Sequence, residues 1–303
     1  MHRLIVICLC LLSLSSWAQT RVIVPFPAGG GTDVAARVLF RDISERTGKQ
    51  FVIENISGAG GDIGRQRAMR DNSLLFTPNS LLISAHLENL GFVPPEEFRA
   101  VVGVGAYPYL LSAHPSFGLR SVRELPAIAR RHGTINISSA GTAGANHLII
   151  YQLARMAGFP VEAIPHKGTS DAALTTMSGM VPLMVSGIQG TNELVRAGKL
   201  RAVAVTTAHR DQDFPQVPTV QEQLGRSFDY PGWFGVVVPK RYDPHLASEI
   251  GSAALVSLRS PQVRQRMQEL SVTIWAWPAD KFEAFLRTDD RQWAAAARQA
   301  LSR

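Results

Sequence analysis

The chain has 303 residues, of which 46% are hydrophobic and 18% are charged, and its formal net charge at pH 7 is +7. These values exclude a disordered, collagen-like or coiled-coil chain and predict two globular domains at roughly 150 residues each. The basic charge suits anionic partners, nucleic acid among them, but it suits an ordinary soluble surface equally well.

Residues 1–18 have the features of a cleaved secretory signal. Arg3 precedes an apolar run over residues 4–12, and the small residues Ser16 and Ala18 occupy the −3 and −1 positions of a cleavage site. The alternative, a membrane anchor, needs about 20 apolar residues, and this run is too short. We therefore expect export to the periplasm with cleavage near Ala18, which argues against a nucleic-acid partner.

Both cysteines, Cys8 and Cys10, lie within that segment. The mature chain would contain none. This excludes a disulfide-stabilised scaffold, a catalytic thiol and a cysteine-based metal site.

A strand–glycine loop–helix–strand pattern begins soon after the signal. Its predicted elements are a strand over residues 21–26, a loop over 27–31, a helix over 34–47, a strand over 51–56, a second glycine loop over 57–61 and a helix around 65–69. Thr32 or Asp33 is the expected N-cap residue of the first helix, and Gly48 is expected to end that helix.

The same order of elements occurs again near residue 134. It predicts a strand over residues 135–138, a small-residue loop over 139–146, a helix over 147–157 and a strand over 161–164. Strands that alternate with helices favour parallel sheets covered by helices, so each half is predicted to be an α/β domain.

The rest of the chain continues this alternation. The further predictions are strands over residues 74–77, 101–111, 181–185, 200–206 and 234–238, helices over 172–177 and 192–197, and mainly helices over 245–301. Residues 101–111 and 234–238 are interpreted as crossings between two domains. We therefore expect lobe I to comprise residues 19–106 and 236–303, and lobe II to comprise residues 107–235.

The glycine loops indicate a binding site for a small anion. In open parallel sheets, ligands bind beyond the carboxyl ends of the strands, where these loops precede helices. A helix start offers unpaired N–H groups and partial positive charge, and glycine lets a ligand approach closely. Two such loops, one in each domain, predict a carboxylate clamp that needs no charged side chain. For either loop alone, a tight turn without a ligand is the alternative.

Several motifs follow one another in a fixed order from about residue 21 onward. They are PFPAGGGTD at 25–33, EN at 54–55, GAGG at 58–61, IG at 63–64, SSAG at 138–141 with HL at 147–148, KG at 167–168, AGKLRA at 197–202, VPTV at 217–220 and WFG at 233–235. Together they resemble the Bug-type solute-binding proteins, which are TctC-like extracytoplasmic receptors of tripartite tricarboxylate transporters.

This resemblance implies a two-lobed periplasmic-binding-protein (Venus flytrap) fold in the α/β class, each lobe a mostly parallel sheet flanked by helices. It also implies capture of a small carboxylate (a dicarboxylate, tricarboxylate, amino acid or aromatic acid) and its delivery to a membrane permease. We expect a monomer with no cofactor and no metal. His166 and Pro182 stand where the family more often has tyrosine and an acidic residue, so the resemblance does not transfer a named ligand.

The residues expected to line the ligand site come from the loops and strand ends of both lobes. They are Phe26, Ala28, Gly29, Gly30, Asp33, Asn79, Ser139, Gly141, Thr142, Ala143, Ser186, Gly187 and Trp233. Asp33 would repel a carboxylate, so it is interpreted mainly as a helix cap, or as the partner of a ligand ammonium group.

Four other side chains have two interpretations each. Phe26 either packs on the carbon chain of the ligand or belongs to the core, and Trp233 is either a lid or a hinge residue. His147 either contacts the ligand or only orients its loop. Lys167 is either a counter-ion or an ordinary exposed lysine.

The rival class is an enzyme, and the sequence does not support one. The run SSAG at 138–141 lacks the leading glycine of a nucleophile elbow, and neither Gly-Lys pair, at 48–49 and 198–199, is followed by Ser or Thr as a Walker loop requires. A His-Glu-x-x-His zinc motif is also absent from the sequence. A sensory protein that presents its ligand to a membrane receptor would have the same pocket and stays an alternative to transport.

Overall fold

The computed structural model describes residues 19–87, 94–141 and 144–301. The predicted signal segment and the predicted site residues Thr142 and Ala143 lie outside these ranges. Within them, the chain forms two mixed β-sheets with α-helices packed around them.

Eleven strands are found in the described residues. They are β1 Thr20–Val24, β2 Phe51–Asn55, β3 Leu74–Pro78, β4 Phe98–Tyr107, β5 Tyr109–Ala113, β6 Ile135–Ala140, β7 Val161–His166, β8 Leu183–Gly187, β9 Arg201–Val205, β10 Gly232–Pro239 and β11 Thr273–Pro278. The first sheet has the order β11-β4-β10-β3-β1-β2, and the second has the order β7-β6-β8-β5-β9.

Twelve α-helices accompany these strands in the same residues. They are α1 Gly31–Thr47, α2 Asp62–Asp71, α3 Ser80–Leu87, α4 Pro94–Glu97, α5 Leu125–His132, α6 Ala145–Ala157, α7 Thr169–Met177, α8 Asn192–Arg196, α9 Val220–Leu224, α10 Pro244–Ser257, α11 Pro261–Glu269 and α12 Ala279–Leu301. Short 3-10 turns occur at Ala59–Gly61, Pro115–Phe117, Val122–Glu124 and Ile188–Gly190. In the described part of the chain, no helix combines the length and the apolar character that crossing a membrane requires.

The parallel part of each sheet comes from the repeated pattern in the sequence. Strand β1 pairs in parallel with β2 and β3, and β6 pairs in parallel with β7 and β8. Helices α1, α2, α6 and α7 make the crossovers that parallel strands require. The carboxyl ends of these strands therefore meet at one edge of each sheet, and the α/β prediction is confirmed. The expectation that each sheet is mostly parallel is wrong: the first sheet has two parallel and three antiparallel pairs, and the second has two of each.

The antiparallel pairs arise where the chain changes sheet. Strand β4 ends at Tyr107 in the first sheet, and after Pro108 the chain continues as β5 in the second sheet. The chain returns to the first sheet just before β10, and this return passage lies next to the outward crossing. Thr206 joins the two passages, because its N–H donates to Tyr109 O at 3.0 Å and its hydroxyl donates to Tyr230 O at 2.8 Å.

These crossings bear on the lobe boundaries expected from the sequence. Strand β10 begins at Gly232 and pairs with β3 and β4, so residues 232–235 belong to the first sheet and not to the second. The numerical boundaries of the lobes otherwise stay a prediction.

Two differences from the predicted elements have local causes. Strand β6 continues to Ala140, two residues beyond the expected end, and this places Ser139 inside the sheet. Strand β11 lies within residues 245–301, for which the sequence predicts mainly helices. It pairs with β4 across a register shift between Ile274 and Trp277, and Trp275 stacks on Trp277 at 4.0 Å between ring centroids.

A buried carboxyl group joins the last helix to the first sheet. Asp289 on α12 is 7% exposed, and its Oδ2 accepts hydrogen bonds from the indole N–H groups of Trp233, at 2.7 Å, and Trp293, at 3.2 Å. Burial raises the pKa of Asp289 to about 6, although the two indole donors oppose that rise. The pKa of this group therefore lies above its ordinary value of 3.8.

We predict that Asp289→Asn changes how stability depends on pH. Because the folded state binds the proton of Asp289 more tightly than the unfolded state does, wild type is stabilised below pH 6 and loses this contribution as the pH rises through 6. Relative to wild type, the unfolding free energy of the variant should be higher at pH 8 than at pH 5 by about 1 kcal/mol. Urea unfolding at both pH values measures this difference.

The matched control is Asp280→Asn, which removes an exposed carboxyl group from the same helix. The difference in unfolding free energy between Asp280→Asn and wild type should be the same at pH 5 and at pH 8. If the difference between Asp289→Asn and wild type is also the same at both pH values, the raised pKa of Asp289 is contradicted.

Candidate functional site

A cavity of about 710 Å³ lies between the two sheets, at the carboxyl ends of their parallel strands. Loops from both sheets and the two tyrosines at the outward crossing line it. The lining consists of residues 25–28, 30–32, 57–61, 78–80, 107, 109, 140–141, 144–146, 165–171, 187 and 189–190.

The start of α1 forms one wall of the cavity. Gly30 is its N-cap residue and has extended backbone angles, with no side chain capping the helix. The first helical bond runs from Val34 N–H to Gly30 O at 3.0 Å. The N–H groups of residues 31–33 thus precede the helical ladder, and they carry the partial positive charge of the helix start.

Two helices that follow strands of the second sheet also begin with a glycine cap and no capping side chain. Gly144 is the N-cap residue of α6 and Gly168 is that of α7, and neither helix has a side-chain cap. The first helical bonds run from His147 N–H to Gly144 O at 3.1 Å and from Ala172 N–H to Gly168 O at 3.2 Å. Uncapped N–H groups of three helices therefore belong to segments that line one cavity.

The start of α7 was missed in the sequence, where the helix was expected to begin at residue 172. The available signal was the run Gly168-Thr169-Ser170-Asp171, a glycine followed by small polar residues that favour a helix start.

Asp33 holds the first glycine loop and does not face the cavity. It is buried in the first turn of α1, where its carboxylate accepts hydrogen bonds from Gly29 N–H at 2.9 Å, Arg37 Nε at 3.0 Å and Asn55 Nδ2 at 2.9 Å. Burial raises the pKa of Asp33, but these donors outweigh it and keep the pKa below its ordinary value. The expected N-cap role is wrong, since Gly30 is the cap.

Ser139 has a similar supporting role in the second loop. It is fully buried, its hydroxyl donates to Gly141 O at 2.9 Å, and its Oγ lies 3.3 Å from His147 Nδ1. Burial lowers the pKa of His147. Gly141 has φ of 89°, which favours glycine, and its N–H donates to His166 O at 2.9 Å. Ser139 and His147 thus support Gly141, which lines the cavity.

The structure divides the predicted site residues into two groups. Those that line the cavity are Phe26, Ala28, Gly30, Asn79, Gly141 and Gly187. Those outside its lining are Gly29, Asp33, Ser139, Ser186 and Trp233.

Ser186 and Trp233 do not line the cavity because side chains alternate between the two faces of a strand. Ser186 lies in β8 beside Gly187, is fully buried, and has its Oγ 3.2 Å from Thr191 Oγ1. Trp233 lies in β10, is fully buried, and packs edge-on against Phe282 with 5.4 Å between ring centroids. It is therefore a packing residue and not a lid.

A tyrosine pair in the cavity wall was also missed in the sequence. Tyr109 Oη donates to Asn79 Oδ1 at 2.8 Å, and the ring of Tyr107 packs against that of Tyr109 with 5.6 Å between centroids. Burial raises the pKa of both phenols, so they are neutral hydrogen-bonding groups at physiological pH. The sequence identified the crossing strand but carried no signal for the direction of these rings.

The cavity has few charged side chains. Lys167 and Asp171 line it, and both are exposed. The two sides of the cleft also approach each other closely at other points: Gln189 lies so near Gly31 that a Cβ atom there would collide with it, and Gly168 lies beside Pro27. The polar character of the site thus comes mainly from backbone groups and neutral side chains, in a cleft that is closed at these contacts.

Comparisons with known proteins agree with this geometry. The sequence model of the family described as "Tripartite tricarboxylate transporter family receptor" (TctC) matches residues 35–300. Protein BugT of Bordetella pertussis is 29% identical over 287 residues, covering 92% of this chain and 88% of BugT.

Solved structures show the same fold. The periplasmic binding protein BugD is 27% identical with a TM-score of 0.85, and the match covers 93% of this chain and 97% of BugD. An R. palustris protein solved with adipate is 24% identical with a TM-score of 0.87, over 93% of this chain and 97% of that one. With a family match over most of its length, this chain belongs to the tripartite tricarboxylate transporter receptors of the TctC family.

Proposed function

We propose that this receptor captures a small carboxylate in the cavity between its two lobes and delivers it to the permease of a tripartite tricarboxylate transporter. The observation that carries the proposal is the convergence of the uncapped starts of α1, α6 and α7 on one cavity. Such N–H groups bind anions without a charged side chain. Family membership and the adipate held by a protein of the same fold support the same ligand class.

The expected affinity follows from the number of these contacts. About four charge-assisted hydrogen bonds at about 1.5–3 kcal/mol each offset the cost of association and leave a micromolar dissociation constant. Phe26, Ala28, Gly30, Asn79, Gly141 and Gly187 are the lining residues from the sequence prediction that we assign to the site, together with Thr142 and Ala143 by their position in the second loop.

A binding role is better supported than a hydrolytic one. Ser138 lies 3.1 Å from His166 Nε2, and Ser139 lies 3.3 Å from His147 Nδ1, so each serine has a histidine neighbour. Both serines are fully buried in β6, and neither lines the cavity. A substrate in the cavity would therefore not reach the hydroxyl of either serine that has a histidine neighbour, and we assign no enzymatic activity.

The cellular setting is part of the proposal. An apolar run over residues 4–12 and small residues at Ser16 and Ala18 support export through a signal cleaved near Ala18. We infer a periplasmic monomer. The expected boundaries, lobe I at residues 19–106 and 236–303 and lobe II at 107–235, change at one point, because residues 232–235 pair with the first sheet and are assigned to lobe I.

The first test compares carboxylates with their neutral amides. Because a ligand that binds only the folded state stabilises it, a carboxylate at about 100 times its dissociation constant should add about 2.7 kcal/mol and raise Tm by several degrees. Succinate and succinamide, glutarate and glutaramide, and benzoate and benzamide form suitable pairs in a thermal-shift assay. Equal shifts for acids and amides, or no shift with any acid, would contradict the proposal.

The second test blocks the approach to the backbone of α1. Gly30 has φ of −75°, and an added Cβ would meet only Pro27 O at 3.4 Å, so Gly30→Val should fold normally. Its side chain would cover the N–H groups of the helix start and weaken carboxylate binding by at least about tenfold. Isothermal titration gives the affinity, and the Tm of the ligand-free variant checks the fold.

Ala197→Val is the control for this test, because it places the same isopropyl side chain at an exposed position outside the cavity. It should bind with wild-type affinity. Wild-type affinity in Gly30→Val would refute the assignment of α1 to the clamp.

A further inference from the structure

A second contact between the two sides of the molecule lies outside the cavity lining. The turn after α11, which leads into β11 of the first sheet, meets two segments that follow strands of the second sheet. Nδ2 of Asn192, at the start of α8, donates to Glu269 O at 3.1 Å. Ser271 Oγ donates to Asp213 Oδ2 at 3.0 Å. We call these four residues the interlobe latch, and none of them lines the cavity.

Both side-chain donors of the latch are buried. Asn192 and Ser271 are each 5% exposed. The orientation of the Asn192 amide is fixed, because its Oδ1 accepts from Glu193 N–H at 2.8 Å and the carbonyl of Glu269 can only accept. A buried donor that loses its acceptor loses its hydration without compensation. Each buried donor therefore obtains its acceptor from the other side of the molecule.

The backbone of Ser271 has a conformation that favours other residue types. Its φ is 54°, and glycine or asparagine usually occupies this left-handed position after a helix. Serine has a conformational cost here that glycine would not have. What serine adds is the hydroxyl that reaches Asp213, so its side chain serves the contact between the two sides.

The segment 188–192 couples the latch to the closure of the cleft. Gln189 lines the cavity and lies against Gly31 at the start of α1. Asn192, at the other end of the segment, meets the end of α11, and α11 packs on α1. Two lobes open by rotation about the strands that cross between them. A rotation that moves the segment away from Gly31 therefore also moves Asn192 away from Glu269.

We propose that the interlobe latch stabilises the closed cleft and raises the affinity for every ligand by the same factor. Because none of its residues lines the cavity, this role goes beyond capture of the carboxylate itself. In an open cleft water solvates the four groups, whereas closure pairs them with one another. The apparent dissociation constant of a ligand that needs the closed form is the intrinsic constant divided by the closed fraction. The latch thus sets the strength of binding, and the cavity lining sets the choice of ligand.

Two uncharged substitutions break the latch one bond at a time and leave the charge around the anion site unchanged. Ser271→Gly removes the hydroxyl and suits the left-handed backbone, and Asn192→Leu removes the amide while keeping a side chain of similar size. For those of succinate, glutarate and benzoate that bind, each variant should weaken binding by a common factor of at least about fivefold. Isothermal titration measures the affinities. Damage to the cavity would change the ratios between the acids instead.

Spin labels on the two sides of the cleft report its closure directly. Ile63 on α2 and Leu174 on α7 are exposed, lie outside the cavity lining and belong to helices that begin on opposite sides of the cleft. Since Cys8 and Cys10 lie in the predicted signal, exported protein with Ile63→Cys and Leu174→Cys carries only this labelled pair. Distances from pulsed electron resonance should shorten as acid is added. The latch variants should need at least about fivefold more acid for the same shift.

Asn72→Gly and Asn136→Leu are the matched controls. Asn72 also has a left-handed backbone after a helix, with φ of 52°, and Asn136 is exposed on β6; neither residue lines the cavity. Both controls should bind acids and close as wild type does. Wild-type affinities in both Ser271→Gly and Asn192→Leu, or a loss of affinity confined to one acid, would overturn the latch and leave the proposed function intact.

The label distances keep the latch testable if the proposed function fails. If no acid binds, the comparison is made on ligand-free protein. Wild type should then contain a larger short-distance population than either latch variant, and equal distance distributions would overturn the latch.

Discussion

The site depends on backbone N–H groups that have no partner within their own helices. Helices α1, α6 and α7 begin with glycine caps, no side chain closes these caps, and all three starts line the same cavity. An uncapped helix start leaves hydrogen-bonding capacity unused, which a folded protein retains at a cost in stability. A bound anion uses this capacity, and the two-sheet architecture brings the helix starts together from distant parts of the sequence.

Side chains around the cavity mainly hold the backbone in place. The carboxylate of Asp33 is turned inward to Gly29, Arg37 and Asn55, and this keeps its negative charge out of the cavity while fixing the glycine loop. Ser139 supports Gly141 in the same way from the other sheet. Such support matters because a ligand gains most from donors that are already positioned before it binds.

The sequence predicted those parts of the site that depend on local patterns. A strand, a glycine loop and a helix follow one another within about ten residues, so Gly30 and Gly141 were identifiable without a structure. Ser139 and Ser186 were misplaced because each lies within a strand, where a shift of one residue moves a side chain to the opposite face. Tyr109 and Asn79 meet only through the crossing between sheets, and no local pattern carries that information.

The most direct test of the account is a crystal structure of the protein with a bound acid. The account predicts that the carboxylate oxygens lie within about 3 Å of N–H groups at the starts of α1 and of α6 or α7. A carboxylate held chiefly by the ammonium group of Lys167, or bound away from these helix starts, would contradict it.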